Sequence, residues 1–167
     1  TKGVSNLELT AAYATIANQG IYTKPRFFTQ ILDHNGKVLL DNTPATKRVL
    51  KDSTAFLLTD AMSQSMESSR MYGSGNLYST STSANLSNMS NAGKSGTTTS
   101  NNDIWFVGYT PYYTAGIWTG YDENNKELAN TSYHKSIWKQ IMDRIHEELP
   151  VRDFSVPDSI TQVSICR

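Results

Sequence analysis

Two aromatic-rich runs, Ile104 to Tyr109 and Tyr112 to Gly120, are separated only by Thr110-Pro111. A link that short cannot carry a crossover, so the runs must lie antiparallel as a hairpin. Ile104, Trp105, Phe106 and Val107 are apolar at consecutive positions, which leaves neither face of the first strand suited to water. Strands of that kind sit centrally in a sheet covered on both sides. Their rings are therefore expected in the core and not as a platform for a ligand.

The remaining segments supply the covering elements. Ser5-Asn6-Leu7-Glu8 is a capping box, with a hydroxyl at the N-cap and an acid three residues on. Leu7, Leu9, Ala11, Ala12, Ala14, Thr15, Ile16 and Ala17 continue as a helix of mostly small residues, suited to close packing. Asn18-Gln19-Gly20 stops it, with Gly20 expected as the left-handed cap. Tyr22 to Leu32 alternates and carries β-branched and aromatic residues, which predicts one strand. His34-Asn35-Gly36-Lys37 holds an Asn-Gly hairpin signal, and Val38 to Leu40 is the return strand. Asn42 to Thr46 reads as a linker. Asp52-Ser53 is expected to cap a helix over Thr54 to Met66, with Phe56, Leu57, Ala61 and Met66 as its apolar positions.

Ser65 to Ser90 is rich in Ser, Thr, Asn, Gly and Met and has no period. It is expected as a structureless loop that crosses the rim of a site. Tyr121 to Thr131, with Asp122-Glu123-Asn124-Asn125, is a polar loop. Ser132 is expected to cap a last helix, Tyr133 to Leu149, with Ile137, Trp138, Ile141, Met142 and Ile145 on one face. Phe154 to Ile165 reads as an extended tail with a final strand. Helices, then strands, then a helix, with hairpin connections, give an α+β fold with an antiparallel sheet.

Composition removes several functional classes. A chain of 167 residues buries one sizeable core. Fifteen acids balance fifteen bases, which leaves no basic stripe for nucleic acid and no polybasic patch for anionic lipid. No apolar run is long enough to span a bilayer, and no signal peptide opens the chain. Thr1-Lys2-Gly3 reads as a cut start, so upstream sequence is expected. The one cysteine, Cys166, excludes an internal disulfide framework and a cysteine-based metal site. His34, His134 and His146 have no partners at metal-ligand spacing and are expected as exposed surface residues. No metal and no cofactor is expected.

One polar stretch, Lys94-Ser95-Gly96-Thr97-Thr98, runs straight into the aromatic hairpin. Its residue types suit the holding of an anionic, peptide-like ligand against a sheet edge. Lys94 supplies a fixed positive charge, and Ser95 and Thr97 can donate hydrogen bonds to a carboxylate. Gly96 has no side chain to keep a ligand backbone away. A backbone N–H just after that glycine can point at a developing oxyanion.

These residues, with much of the chain around them, resemble the C-terminal half of the transpeptidase domain of class A (bifunctional) penicillin-binding proteins. Ala92-Gly93-Lys94-Ser95-Gly96-Thr97-Thr98 is similar to that family's Lys-Thr/Ser-Gly-Thr motif. Trp105-Phe106-Val107-Gly108-Tyr109-Thr110-Pro111 and Trp118-Thr119-Gly120-Tyr121-Asp122 resemble the two strands that follow it. Ser5, Leu7-Glu8-Leu9 and Ala11 to Ala14 resemble an earlier helix, Lys24-Pro25-Arg26 with Asp33 to Lys37 a hairpin, and Ile137-Trp138 with Val156-Pro157 the last helix and tail.

The resemblance implies a sheet covered by helices on both faces and a serine acyltransferase. Such an enzyme cleaves the D-Ala-D-Ala end of one peptidoglycan stem peptide and joins it to another, and β-lactams mimic that end. It implies Lys94 and Thr97 as catalytic, and Ser95, Gly96, Thr97 and Thr98 as substrate-binding. Partners would be stem peptide, β-lactams and an N-terminal part of the same protein, on the extracytoplasmic face of a bacterial membrane. The family's Ser-x-x-Lys and Ser-x-Asn should precede Lys94. The one Ser-x-x-Lys here, Ser132 to Lys135, follows it, and Ser132 is better explained as an N-cap. Ser74-Gly75-Asn76 and Ser83-Ala84-Asn85 fit Ser-x-Asn within a stretch so rich in both residues that chance matches are expected. The nucleophile is therefore expected in a preceding segment. A DD-carboxypeptidase and a non-catalytic penicillin or peptidoglycan sensor are the alternatives.

Overall fold

In the computed structural model, which describes residues 3–67, 70–72, 75–123 and 126–164, the consecutive apolar run becomes the middle of a sheet. Three strands, β7 (Ala92–Thr97), β8 (Asp103–Tyr109) and β9 (Thr114–Gly120), pair antiparallel in the order β7-β8-β9. Earlier elements are α1 (Asn6–Ala17), β1 (Ile21–Thr23), β2 (Gln30–Leu32), β3 (Val38–Asp41), β4 (Thr46–Arg48), α2 (Asp52–Gln64), β5 (Arg70–Tyr72) and β6 (Gly75–Leu77). A short 3-10 turn spans Thr82–Ala84, and α3 (Tyr133–His146) closes the order.

Helices cover both faces of the sheet, as expected. On one face α1 lies against β9, so closely that a Cβ at Gly116 would overlap the Thr10 hydroxyl. Asn6 Nδ2 donates to Gly116 O at 3.1 Å and fixes that approach. On the same face Tyr109 Oη meets Thr59 Oγ1 of α2 at 2.8 Å. The Thr59 hydroxyl also donates to Ala55 O, so Tyr109 is the donor of the pair. On the other face Trp138 of α3 packs edge-on against Phe106, with ring centroids 5.1 Å apart. Trp138 Nε1 donates to Ala115 O, so the largest buried side chain leaves no polar atom unpaired.

Local chemistry explains where elements begin and end. The capping box at Ser5 forms: Glu8 N donates to Ser5 Oγ and Ser5 N to Glu8 Oε2. At the other end of α1, Gly20 N donates to Thr15 O and Gln19 N to Ile16 O, the paired closure of a Schellman turn. The left-handed conformation expected at Gly20 alone is shared, with φ of 53° at Gln19 and 83° at Gly20. Gly20 is still required, since a Cβ there would overlap the Leu50 carbonyl.

Several expectations are corrected. Tyr22 to Leu32 is not one strand. Pro25, which has no N–H to donate, interrupts it, so β1 pairs with β4 and β2 with β3. The helix α2 starts at Asp52 without a side-chain cap, and its buried positions are Ala55, Thr59 and Met62; Leu57 faces out. Ser65 to Ser90 contains the β5–β6 hairpin and the 3-10 turn, and it places Ala84, Leu86 and Met89 in the core around Trp138. No strand forms among residues 154–164.

On α3 the buried positions are His134, Trp138, Met142 and His146, while Ile137, Ile141 and Ile145 are exposed. Two of the three histidines are thus buried, and only His34 is at the surface. His146 is satisfied, with Nδ1 2.7 Å from Met142 O and Nε2 2.8 Å from Thr110 Oγ1. A carbonyl only accepts, so Nδ1 carries a proton. Ser74, Asn124, Asn125, Ile165, Cys166 and the first two residues lie outside the described residues.

Candidate active site

The stretch singled out in the sequence forms an edge strand. Among the described residues β7 pairs with β8 on one side only, in the register Lys94↔Val107, Ser95↔Phe106, Gly96↔Trp105 and Thr97↔Ile104. In an antiparallel ladder, residues alternate between bonding across the pair and pointing their N–H and C=O away from it. Two hydrogen bonds set the phase. Thr98 N donates inward to Asp103 O at 3.0 Å, and Gly93 O accepts from Ser65 Oγ of the α2 end at 3.2 Å. Gly93, Ser95 and Thr97 therefore turn their backbone groups to the open edge. The Thr97 N–H is directed outward, as an external acceptor would need.

The side chains divide across the strand. Lys94 and Gly96 share the face of Val107 and Trp105, toward α1, whereas Ser95 and Thr97 share the face of Phe106 and Ile104, toward α3. The register thus puts them on opposite faces, and only at an edge could one ligand meet both sets. Lys94 is exposed, and its Nζ donates to Ser95 O at 2.8 Å, which draws the ammonium along the open edge. Ser95 and Gly96 are half-buried, and Thr97 and Thr98 are exposed. Thr98 differs from the others, because its hydroxyl accepts from Asp103 N at 2.9 Å inside the β7–β8 turn.

A network the sequence reading missed lies beside this edge. Asp103 Oδ1 accepts from Trp118 Nε1 at 2.9 Å, and Trp118 is tilted against Trp105, the partner of Gly96. The available signal was Asp103 itself, an acid that opens an otherwise apolar strand just after a Thr-Ser-Asn turn.

The late Ser-x-x-Lys is not assembled as a nucleophile and base. Ser132 Oγ donates to Asn130 Oδ1 and Lys135 Nζ to Thr80 O, each at 2.8 Å. Ser132 sits at the N-cap position but makes no side-chain capping bond. Below Ser95, Phe106 meets the ring of His134, which is buried with both nitrogens unpartnered. Burial, with Lys135 adding to it, holds that imidazole below its ordinary range. Among the described residues, no group of His, Cys, Asp and Glu is arranged to hold a metal ion, and no helix is long and apolar enough to cross a membrane.

Residues 2–143 match the family described as penicillin binding protein transpeptidase domain. Penicillin-binding protein 1A of Clostridium acetobutylicum is 31% identical over 162 residues, covering 97% of this chain and 19% of that protein. Penicillin-binding protein 2D of Bacillus subtilis is 35% identical over 170 residues, covering 99% of this chain and 24% of that protein. The chain thus spans about a fifth to a quarter of the curated relatives it matches. In three dimensions it is similar to penicillin-binding protein 1A from Haemophilus influenzae, with a TM-score of 0.76 at 22% identity over 93% of this chain and 28% of that one. It is also similar to the PonA1 protein from Mycobacterium tuberculosis in complex with penicillin V, with a TM-score of 0.74 at 27% identity over 93% of this chain and 42% of that one. With the edge strand in place and the family match spanning most of the sequence, this chain belongs to the penicillin-binding protein transpeptidase domain family.

Proposed function

We propose that this chain is the C-terminal part of a DD-transpeptidase domain and supplies the edge strand of its active site. The observation that carries the reading is the outward Thr97 N–H on an edge strand that also displays Lys94, Ser95 and Gly96. In the proposed reaction a serine outside residues 1–167 attacks the carbonyl of the penultimate D-Ala of a stem peptide. The carbonyl oxygen becomes an oxyanion and accepts from the Thr97 N–H, one of two donors. Such a donor is worth roughly 2.7–4 kcal/mol of barrier in other serine enzymes. The C–N bond to the terminal D-Ala then breaks, and the proton taken from the serine goes to the departing amine. An amine of a second stem peptide attacks the acyl-enzyme and forms the cross-link, the ester C–O bond breaks, and the proton lost by the amine returns to the serine oxygen.

The side chains divide the remaining work. Ser95 and Thr97 donate to the terminal carboxylate of the donor peptide, and Lys94 supplies positive charge beside it and support for the proton transfers. A β-lactam, carrying a carboxylate at the same place, would take the same contacts and leave a slow acyl-enzyme. The proposed setting is the extracytoplasmic face of a bacterial cell membrane, where stem peptides are found. Ser132 is not the nucleophile in this reading, since its hydroxyl and the Lys135 ammonium are each engaged elsewhere.

The test uses the full-length protein that carries this sequence. After incubation with a penicillin, denaturing intact mass and peptide mapping should place the drug's mass on a serine outside residues 1–167. Lys94→Ala should slow that acylation by about a hundredfold or more while the melting temperature stays put. An adduct on Ser132, or an unchanged rate in Lys94→Ala, would overturn the assignment.

A further inference from the structure

The last rung of the β7–β8 ladder is closed by a side chain. Strand ends fray, because their terminal bonds compete with water and are closed on one side only. Here the backbone bond from Thr98 N to Asp103 O is joined by a side-chain bond, from Asp103 N to Thr98 Oγ1 at 2.9 Å, which stands in for the reciprocal backbone bond because Thr98 O accepts from Asn101 N. The Asp103 carboxylate is tied in turn to Trp118 Nε1 on the far strand. Gly120, the partner of Asp103 on β9, makes room for this: a Cβ there would stand 2.6 Å from the Trp118 ring and 2.9 Å from Asp103 Oδ1. The turn is held from a second side as well. Asn101, left-handed at φ 52°, donates from its backbone to Thr98 O and accepts from Leu128 N, and its side chain donates to Glu127. Bonds that span all three strands of the sheet thus converge one residue from Thr97.

Resting on the reading of Thr97 given above, we infer that Asp103, held by Trp118, is a positioning residue for the Thr97 backbone N–H. Thr97 makes no ladder bond of its own. Its N–H lies in the Gly96–Thr97 peptide, beside the Gly96–Trp105 pair, and its carbonyl lies in the Thr97–Thr98 peptide, whose N–H donates to Asp103 O, so the two pairs hold Thr97 from its two sides. If the outer pair opens, the Thr97–Thr98 peptide is freed, Thr97 is held from the Gly96 side alone, and its N–H is less firmly aimed. A donor of this kind works because it is fixed before charge develops. Misplacement by about 1 Å can cost about a hundredfold in rate. Asp103 touches no substrate in this arrangement. It acts through Thr98, and Trp118 acts through Asp103.

The experiment is pre-steady-state acylation of the full-length protein by a fluorescent penicillin, resolving the non-covalent dissociation constant from the first-order acylation rate. Asp103→Ala and Thr98→Val should lower the acylation rate about tenfold and leave the dissociation constant within about twofold, because the Ser95 and Thr97 hydroxyls that bind the carboxylate are untouched. Trp118→Phe, which keeps a ring and removes the N–H, should cost about threefold to fivefold in the same step. Asp103→Asn keeps an oxygen for Trp118 and should restore the rate to within about twofold of the parent. Equal losses in Asp103→Asn and Asp103→Ala would assign the effect to charge and overturn the inference. Unchanged acylation in Thr98→Val and Trp118→Phe would overturn it too, and these two decide the matter if Asp103→Ala does not fold. Lys94→Ala is run alongside. If it slows acylation while the Asp103, Thr98 and Trp118 variants do not, the positioning role alone falls. If Lys94→Ala is also without effect, the reading of β7 as the catalytic edge falls first.

Discussion

Gly93 and Gly96 stand on the same strand, and each is a glycine for a different reason. A Cβ at Gly93 would stand 2.8 Å from both Met66 Cε and Val107 O, and 2.9 Å from Gly108 Cα. A Cβ at Gly96 would meet only Trp105 Cβ, at 3.5 Å, which is ordinary van der Waals contact. The inner half of β7, with Ala92 and Gly93 buried, is dictated by what packs on it within this chain. The outer half, Lys94 to Thr97, is exposed or half-buried, and nothing inside the chain demands its residues. Where the fold does not explain a residue, a ligand or another segment is the remaining source of constraint. The outer half is thus the place to look for chemistry.

The comparison can be broken by substitution. Gly93→Ala should give the largest effect, about 1–3 kcal/mol of lost stability, because two of the three obstructing atoms are backbone and cannot move aside. A melting or denaturant curve of the full-length protein would check it; an unchanged midpoint would show that the inner half is less constrained than its contacts indicate.

An intermediate effect should come from pH, through the α3 face beneath Ser95. His134 is buried and its folded-state pKa is lowered from 6.5, first by desolvation and then by Lys135. In the unfolded chain the imidazole takes a proton more readily than in the folded one. Its stabilising contribution is therefore complete above about pH 6.5 and is lost as pH falls from there through the folded-state value. The midpoint of unfolding should drop across that range, and His134→Phe should flatten the drop. An equally steep curve in the variant would move the pH sensitivity elsewhere.

Gly96→Ala should have the smallest effect on stability, within about 0.5 kcal/mol of the parent. The same variant should slow acylation by a penicillin, since the added methyl stands on the Trp105 face of the edge strand, beside the line a ligand backbone would follow. A stability loss matching that of Gly93→Ala would erase the distinction between the two halves.

Legibility in the sequence followed the range of the interaction involved. The central hairpin, the capping box of α1 and the Asn-Gly turn were readable because each depends on neighbours a few residues away. The α3 stripe was misjudged because Ile137, Ile141 and Ile145 are more apolar than His134 and His146, and hydrophobicity alone favours them. The choice was made by partners far along the chain, since Phe106 receives His134 and Thr110 completes the hydrogen bonding of His146. The Ser65 to Ser90 stretch misled for a similar reason. Its composition is that of a loop, yet Ala84, Leu86 and Met89 reach the core around Trp138.

The sequence by itself determined that a central antiparallel hairpin would be covered on both faces, and that a Lys-Ser-Gly-Thr stretch would lead into it. Both follow from local rules: a link too short for a crossover, and residue types with fixed donors and charge. Only the tertiary structure decided that this stretch is an edge strand and which of its backbone groups face outward. Edge position depends on whether a further strand pairs with it, and the direction of each N–H depends on the phase of the ladder. That phase is set by Asp103 across the turn and Ser65 at the end of α2.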